Sequence, residues 1–363
     1  MSLSVLHILS GDLWGGSEAQ MKEQLAGLRE AGVDARAFLF NEHPVSQRFC
    51  DAGIPVDFQS ESLGVPGLVR AVARVVTERQ VQVVVSHGFK EAAVGFVVST
   101  RLRVPLVCTF HGITESYRGW RGLKSAIYTL LERIIATKFA KRIVAVNETV
   151  AAGRGFTHLP TLRVVRNVAT IPETAIDSLQ HPAIFMAGRL FPVKRYDRAL
   201  EAHRLLINAR QTHGEALPTL FIAGDGPIRS ELEAQSATLG LVDHCRFLGF
   251  RSDASGLLGA ADVVLLSSES EGLPTVILEA MLWGVPVVST TLPGVEALAK
   301  EFPEYPFFFA AHESASLAAA LSRALDTPRV PPNSELTDRI RDTFSRQRAT
   351  REHIALYREL VGQ

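Results

Sequence analysis

Net charge is the first thing this sequence lacks. Its 363 residues carry 38 Lys and Arg against 38 Asp and Glu, so there is no basic footprint for nucleic acid, and no nucleic-acid partner is expected. Cysteine is scarce: Cys50, Cys108 and Cys245 are scattered and odd in number, and two lie in apolar strand-like runs. That pattern excludes a disulfide framework and points to a reducing, cytoplasmic compartment. No uncharged apolar run reaches the roughly 18 residues that suggest a bilayer-spanning helix. The opening MSLSVLHILSGD lacks a basic n-region and reads as a first strand, so no signal peptide is expected. The expected location is cytoplasmic, at most peripheral at the inner face of the membrane. Chemical signatures are missing too. There is no Asp-x-Asp metal clamp, no Cys/His cluster with zinc spacing, no G-x-S-x-G elbow and no P-loop, so neither a metal nor a cofactor is expected.

What the sequence does contain is a rhythm. Hydrophobic residues make up 47% and charged residues 21%, the balance of a globular chain, and the length suits two domains. Strand-like runs at 4–9, 35–40, 56–58, 82–86, 105–110 and 142–146 alternate with amphipathic stretches at 18–31, 67–79, 90–102 and 123–140. This is the βαβ pattern of a doubly wound parallel sheet. It lapses at 168–181, where ATIPETAIDSLQ has neither period, and restarts with strands at 183–187, 219–223, 246–248 and 307–309 and helices at 195–209, 228–238 and 314–325. A charged helical tail runs from Glu335 to Leu360. The expected division is 1–170, 171–340 and a C-terminal helix over 341–363.

The richest stretch is 261–290, ADVVLLSSESEGLPTVILEAMLWGVPVVST. It reads as a buried strand, a polar loop, a helix that opens with Pro274 in its first turn and ends at Gly284, and a second buried strand. Loops at the carboxyl ends of parallel strands are where open α/β sheets bind ligands. The helix offers N–H groups from Leu273, Thr275 and Val276 to an anion, and two carboxylates, Glu271 and Glu279, could accept from hydroxyls at either end. A nucleotide sugar has that shape. The alternative is two solvated surface acids.

This stretch resembles the E-x7-E signature of family-4 retaining glycosyltransferases. The resemblance implies a GT-B fold: two Rossmann-like doubly wound domains facing a cleft, with a C-terminal helix crossing back to the first domain. It assigns Glu271 to the donor sugar, Glu279 to the ribose, and the N–H groups around Gly272, Leu273 and Thr275 to the diphosphate. AGRLFPVKRYD is similar to the family's G-R…K segment, in which Arg189 and Lys194 beside Gly188 would neutralise the diphosphate, while Arg195 reads as a surface residue. Gly224-Asp225-Gly226-Pro227 resembles the turn behind the nucleotide, and Gly249-Phe250 lies where the family borders the base. Asn167 resembles a structural Asn that closes the first domain. In the first half, Gly15, Gly16, Ser17 and Glu18 resemble the GG-[small]-E motif near acceptor and phosphate, although a plain turn with Ser17 as helix cap reads equally well. Trp14 either walls the acceptor or packs. His111 resembles the family's sugar-contacting His, and His87 ends the preceding strand in the same way.

Together these features imply retaining, metal-independent transfer of a hexose from a nucleotide diphosphate, with UDP favoured, to a hydroxyl acceptor. The form of the EGLP loop is similar to that of envelope-polysaccharide enzymes, so the acceptor class includes lipid-linked precursors. A GT-B epimerase or phosphorylase and a silent sugar-nucleotide-binding subunit are the alternatives. Finally, 118–142, RGWRGLKSAIYTLLERIIATKFAKR, has seven basic residues, a single acid and an apolar stripe at helical spacing. Such a helix either lies on an anionic membrane surface or buries its stripe against its own sheet.

Overall fold

The structure, a computed structural model, describes residues 3–12, 14–41, 45–112, 119–331 and 333–363, with backbone alone for 119–125. The chain divides into two compact units, Met1–Val168 with Ser345–Gln363, and Ala169–Phe344.

The first unit contains β1 (Ser4–Leu9), α1 (Gly16–Glu30), β2 (Asp34–Leu39), α2 (Val45–Asp51), β3 (Val56–Phe58), α3 (Gly64–Glu78), β4 (Val83–Ser86), α4 (Phe89–Leu102), β5 (Leu106–Phe110), α5 (Gly119–Lys138), β6 (Arg142–Ala145), α6 (Glu148–Gly153) and β7 (Leu162–Val164). Its strands pair in parallel in the order β3-β2-β1-β4-β5-β6-β7. Apolar side chains fill both faces, as a parallel sheet with helices on each side requires. On one face Leu6 and Ile8 pack with Val72 of α3, Val98 of α4 and Ala136 of α5. On the other, Val5 and Leu9 pack with Leu25 and Leu28 of α1.

The second unit contains β8 (Ala183–Ala187), α7 (Tyr196–His213), β9 (Thr219–Ala223), α8 (Arg229–Thr238), β10 (Cys245–Gly249), α9 (Ala254–Ala260), β11 (Val263–Leu266), α10 (Thr275–Trp283), β12 (Val287–Thr290), α11 (Pro293–Glu301), β13 (Phe307–Ala310), α12 (Ser314–Leu325) and α13 (Glu335–Thr343). Its parallel sheet runs β10-β9-β8-β11-β12-β13. Ile277 and Met281 of α10 pack with Phe185 and Val264 on one face, and Leu200 of α7 and Leu321 of α12 pack with Ile184 and Val288 on the other.

The C-terminal tail is not one helix. It breaks after α13, and α14 (Arg346–Val361) belongs to the first unit. The break has a local cause: Phe344 is buried with Ile340 in the second unit's core, and the Ser345 hydroxyl caps the new helix by accepting from the Arg348 N–H at 3.3 Å. The short elements α2, α6, β7 and α9, and the nine-residue α11, also lie outside the sequence reading.

Across the first unit α14 lies against α1, with Leu356 and Tyr357 buried in the same core as Leu25. The two helices meet at Gly27, where a Cβ would fall 2.3 Å from Thr350 Oγ1. We therefore expect Gly27→Leu to destabilise the protein by about 1–3 kcal/mol through overpacking. Urea denaturation beside wild type checks this, and an unchanged midpoint would show that α14 is not seated as described.

Candidate active site

The order of the second sheet reverses between β8 and β11, the kind of switch point where open α/β sheets receive ligands. The loops leaving these two strands carry Gly188, Arg189 and Lys194 on one side, and Glu271, Gly272 and Leu273 on the other. They are tied together. Glu269 N–H donates to Val193 O at 2.9 Å, and Ser267 Oγ donates to Lys194 O at 2.8 Å. Lys194 Nζ forms an ion pair with Glu271 Oε1, and Ser268 Oγ donates to the same oxygen at 2.7 Å. The sequence suggests two residues that each meet a ligand; in the structure they meet each other. Their side chains are only 24% and 13% exposed, so the pair is shielded from water more than a surface salt bridge is and holds the carboxylate in one orientation.

Arg195 is not a plain surface residue. It adopts a left-handed backbone with φ 52°, and its guanidinium binds Asp197 at 2.6 Å and also Glu269, bracing the β8 loop against the β11 loop. Arg189 is exposed, with its guanidinium 5.2 Å from the centroid of the Phe191 ring. Among the described residues it has no ion-pair partner, so its charge is available to an anion.

Glycine allows the neighbouring loops to close in. At Gly224, φ is 151° and a Cβ would lie 1.9 Å from Gly188 O, so no side chain fits there. Gly224 N–H donates to Gly249 O at 2.7 Å, and Asp225 Oδ1 accepts from Gly226 N–H at 2.8 Å. The result is a floor of backbone at the ends of β8, β9 and β10. Phe250 stands beside it with half its surface exposed.

Helix α10 begins one residue later than the sequence suggests. Thr275 is its first residue, and Pro274 is the cap, with ψ 122°. No side chain caps this end, which leaves first-turn N–H groups for an anion. Glu279 lies one turn along, half-buried. Burial pushes its carboxyl up to about 7, against the opposing pull of the Ser255 hydroxyl.

In the first unit Gly15, not Ser17, occupies the cap position of α1, and Ser17 Oγ donates instead to Glu18 Oε2 at 2.9 Å. Gly16 opens the helix. Trp14 packs, edge-on to Phe49 at 6.5 Å with the Arg48 guanidinium 4.4 Å over its ring. His111 and His87 are joined through their rings, Nδ1 of His87 lying 2.9 Å from Nε2 of His111. Asn167 is buried and lines a small pocket with His111.

Several contributors carry no sequence signal that singles them out. Ser268 orients Glu271, and Tyr196 is buried beneath Gly188, where a Cβ would lie 3.1 Å from its hydroxyl. Gln20 clamps Val168, the last residue before the second unit, with two 2.7 Å bonds. His7 reads as an ordinary strand residue, yet it joins the His87 ring at 2.9 Å. Only its place one strand from His87, on the same face of the sheet, could have pointed to it.

Glu279 offers a test by pH. Its folded pKa is raised from 4.5 to about 7, so its contribution to stability is fully present below about 4.5 and is lost as pH rises through about 7. Glu279→Gln should match wild type near pH 4.5 and exceed it at pH 8 by about 3 kcal/mol. Denaturation of both proteins at the two pH values checks this, because the buried histidines titrate alike in each and cancel. A constant difference would mean that Glu279 is solvated.

Known proteins fit this arrangement. Residues 173–343 match the family model described as Glycosyl transferases group 1, and residues 15–167 match the Glycosyl transferase 4-like domain. The chain is 31% identical over 188 residues to a 2-deoxystreptamine glucosyltransferase of Streptomyces kanamyceticus, covering 50% of this chain and 46% of that protein, so it spans about half of that relative. It is 24% identical over 320 residues to the UDP-Gal:alpha-D-GlcNAc-diphosphoundecaprenol alpha-1,3-galactosyltransferase of Escherichia coli, covering 78% and 81% respectively. The structure of Anabaena HepE in complex with UDP-glucose superposes with TM-score 0.82 at 20% identity over 98% of this chain and 99% of that one, a likeness of fold. With a family model matched in each unit and the GT-B fold in common with solved relatives, this chain belongs to the group 1, family-4-like glycosyltransferases.

Proposed function

We propose that the protein is a retaining, metal-independent hexosyltransferase that moves a sugar from a nucleotide diphosphate, with UDP as the carrier, to the hydroxyl of a lipid-linked or envelope-polysaccharide precursor. The observation that carries this reading is the tied pair of loops at the β8/β11 switch point, with Lys194 and Glu271 joined beside the uncapped end of α10. When the bond from the anomeric carbon to phosphate breaks, negative charge grows on the diphosphate. Arg189, Lys194 and the first-turn N–H groups of α10 are fixed donors for that charge, and loss of one such donor costs about 3 kcal/mol. Glu271, held by Lys194 and Ser268, orients the sugar. Glu279 accepts from the ribose, and Phe250 borders the base. The acceptor oxygen bonds to the face that the diphosphate leaves, and its proton passes to a phosphate oxygen of the leaving group. The named activity of the Escherichia coli relative, with a UDP-sugar and a diphosphoundecaprenol acceptor, supports the choice of donor and acceptor class.

The test is a transfer assay over a panel of UDP- and GDP-sugars with a polyprenyl-diphosphate glycan. Activity with a UDP-sugar should survive exhaustive chelation, and Arg189→Ala should lower it at least tenfold. Turnover that chelation abolishes and magnesium restores would overturn the metal-free reading. Release of a sugar phosphate, or epimerisation without transfer, would overturn the transferase reading.

A specific observation also supports attachment of the first unit to an anionic membrane surface. Ile127, Leu130, Leu131 and Ile134 form one stripe on α5, and they are exposed, Leu130 by 58%. The inward side carries Ala136 and the acid Glu132, which pairs with Arg154 at 2.7 Å. Packing against the sheet therefore does not account for the stripe. Arg133, Lys138 and Lys141 are exposed on or just beyond the same helix, whereas Arg142 is engaged by Glu359. Arg118 and the side chains of Trp120, Arg121, Leu123 and Lys124 lie outside the described residues. An apolar stripe with a basic border suits the interface of an anionic bilayer. No described helix is long and apolar enough to cross a membrane. Flotation with anionic liposomes should recover the protein at low salt and release it at high salt, and Leu130→Gln with Ile134→Gln should abolish recovery. Wild type that stays off the liposomes at low salt would end this proposal.

A further inference from the structure

Three imidazoles of the first unit form a line. His7 lies within β1, His87 directly follows β4 and His111 directly follows β5, and these strands are neighbours in the sheet. The two-residue period of a strand sets them on the same face as Val5, Val85 and Val107, the face that α1 and α14 cover. Nδ1 of His7 lies 2.9 Å from Nε2 of His87, and Nδ1 of His87 lies 2.9 Å from Nε2 of His111. The two outer nitrogens, Nε2 of His7 and Nδ1 of His111, are buried and without a hydrogen-bond partner. This is a chain and not a metal site, because His87 spends both nitrogens on its neighbours. Among the described residues no group of three or more metal-ligating side chains is arranged around a common point.

Burial and the nearness of other imidazoles, His353 among them, hold His7 at about 3, His111 at about 4 and His87 well below its usual value, so all three are neutral. A neutral imidazole has one donor nitrogen and one acceptor. Two hydrogen bonds in series then force all three rings into the same form, each protonated either at Nδ1 or at Nε2. The choice is made at the ends. An orphaned buried N–H is tolerated less well than an under-used acceptor. His111 borders a pocket of about 20 Å³ shared with Gln24, Thr109 and His353, which is room for one water; His7 does not border it. The free donor therefore belongs on His111 and the free acceptor on His7.

We propose that His7, His87 and His111 share one tautomer, protonated at Nδ1, and that His7 and His87 are positioning residues that make His111 a hydrogen-bond donor on its pocket side and not a proton acceptor. The tautomer belongs to the fold and is read without substrate, so its failure is separate from failure of sugar transfer.

The test is two-bond 15N–1H correlation at pH 7 on full-length protein labelled with 15N-histidine, with signals assigned through single His→Gln variants. His353 is an internal reference, because its Nδ1 lies 2.8 Å from the Ala349 carbonyl and must donate. His7, His87 and His111 should all show a protonated Nδ1 and a bare Nε2, like His353. A protonated Nε2, or a fully protonated ring, at any of the three overturns the proposal. In His87→Leu the middle link is gone, and His7, left without a partner at either nitrogen, should become a mixture of tautomers while His111 and His353 stay protonated at Nδ1. A folded His87→Leu protein in which His7 keeps a single tautomer would overturn the coupling. Should that variant fail to fold, the wild-type spectrum decides alone.

Discussion

A parallel sheet covered by helices on both faces leaves little room for polar groups along its strands, and much else in this protein follows from that. Most buried strand side chains are Val, Leu, Ile, Phe and Ala, on both faces of each sheet. Polar chemistry is displaced to the loops at the carboxyl ends, and the reversal of strand order decides which of those loops are spread apart. In the second unit those are the β8 and β11 loops, and in the first unit the β1 and β4 loops. The named residues cluster there because little of the rest of the sheet can hold them.

The second unit shows how such loops become rigid. Gly188, Gly224 and Gly249 bring three loops into backbone contact, and Ser267, Ser268, Arg195 and Glu269 tie the β8 loop to the β11 loop. A donor aimed at developing charge helps only if it is already in place when the charge appears. Lys194 and Glu271 hold each other in place. Glu279 does the opposite. Its carboxyl is half-buried with little compensation, a feature that costs stability at neutral pH.

The first unit departs from the usual helix on a sheet. Helix α5 turns an acid inward to Arg154 and leaves Leu130 and Ile134 outside. On the opposite face of the sheet, α14 returns from the end of the chain to cover β1 and brings Tyr357 and His353 toward His7, with the Tyr357 ring 6.2 Å from that of His7. Burial of imidazoles in that layer keeps them neutral, and neutrality couples the tautomer of one ring to the next.

Periodicity and punctuation in the sequence by themselves determined the two βα units, the longer strands and helices, the break near Val168 and the family resemblance, because apolar alternation and glycine placement are local properties. The positions of Gly188, Lys194, Glu271 and Glu279 were legible for the same reason: each stands at a fixed offset from a strand or helix end. Tertiary structure alone decided which groups meet. The Lys194–Glu271 pair joins residues 77 positions apart, and the His7–His87 contact joins residues 80 apart, and no local pattern encodes a partner at that distance. It also decided that the stripe on α5 faces outward. A helical period reports that one face differs from the other, but only packing against a particular neighbour determines which face is buried.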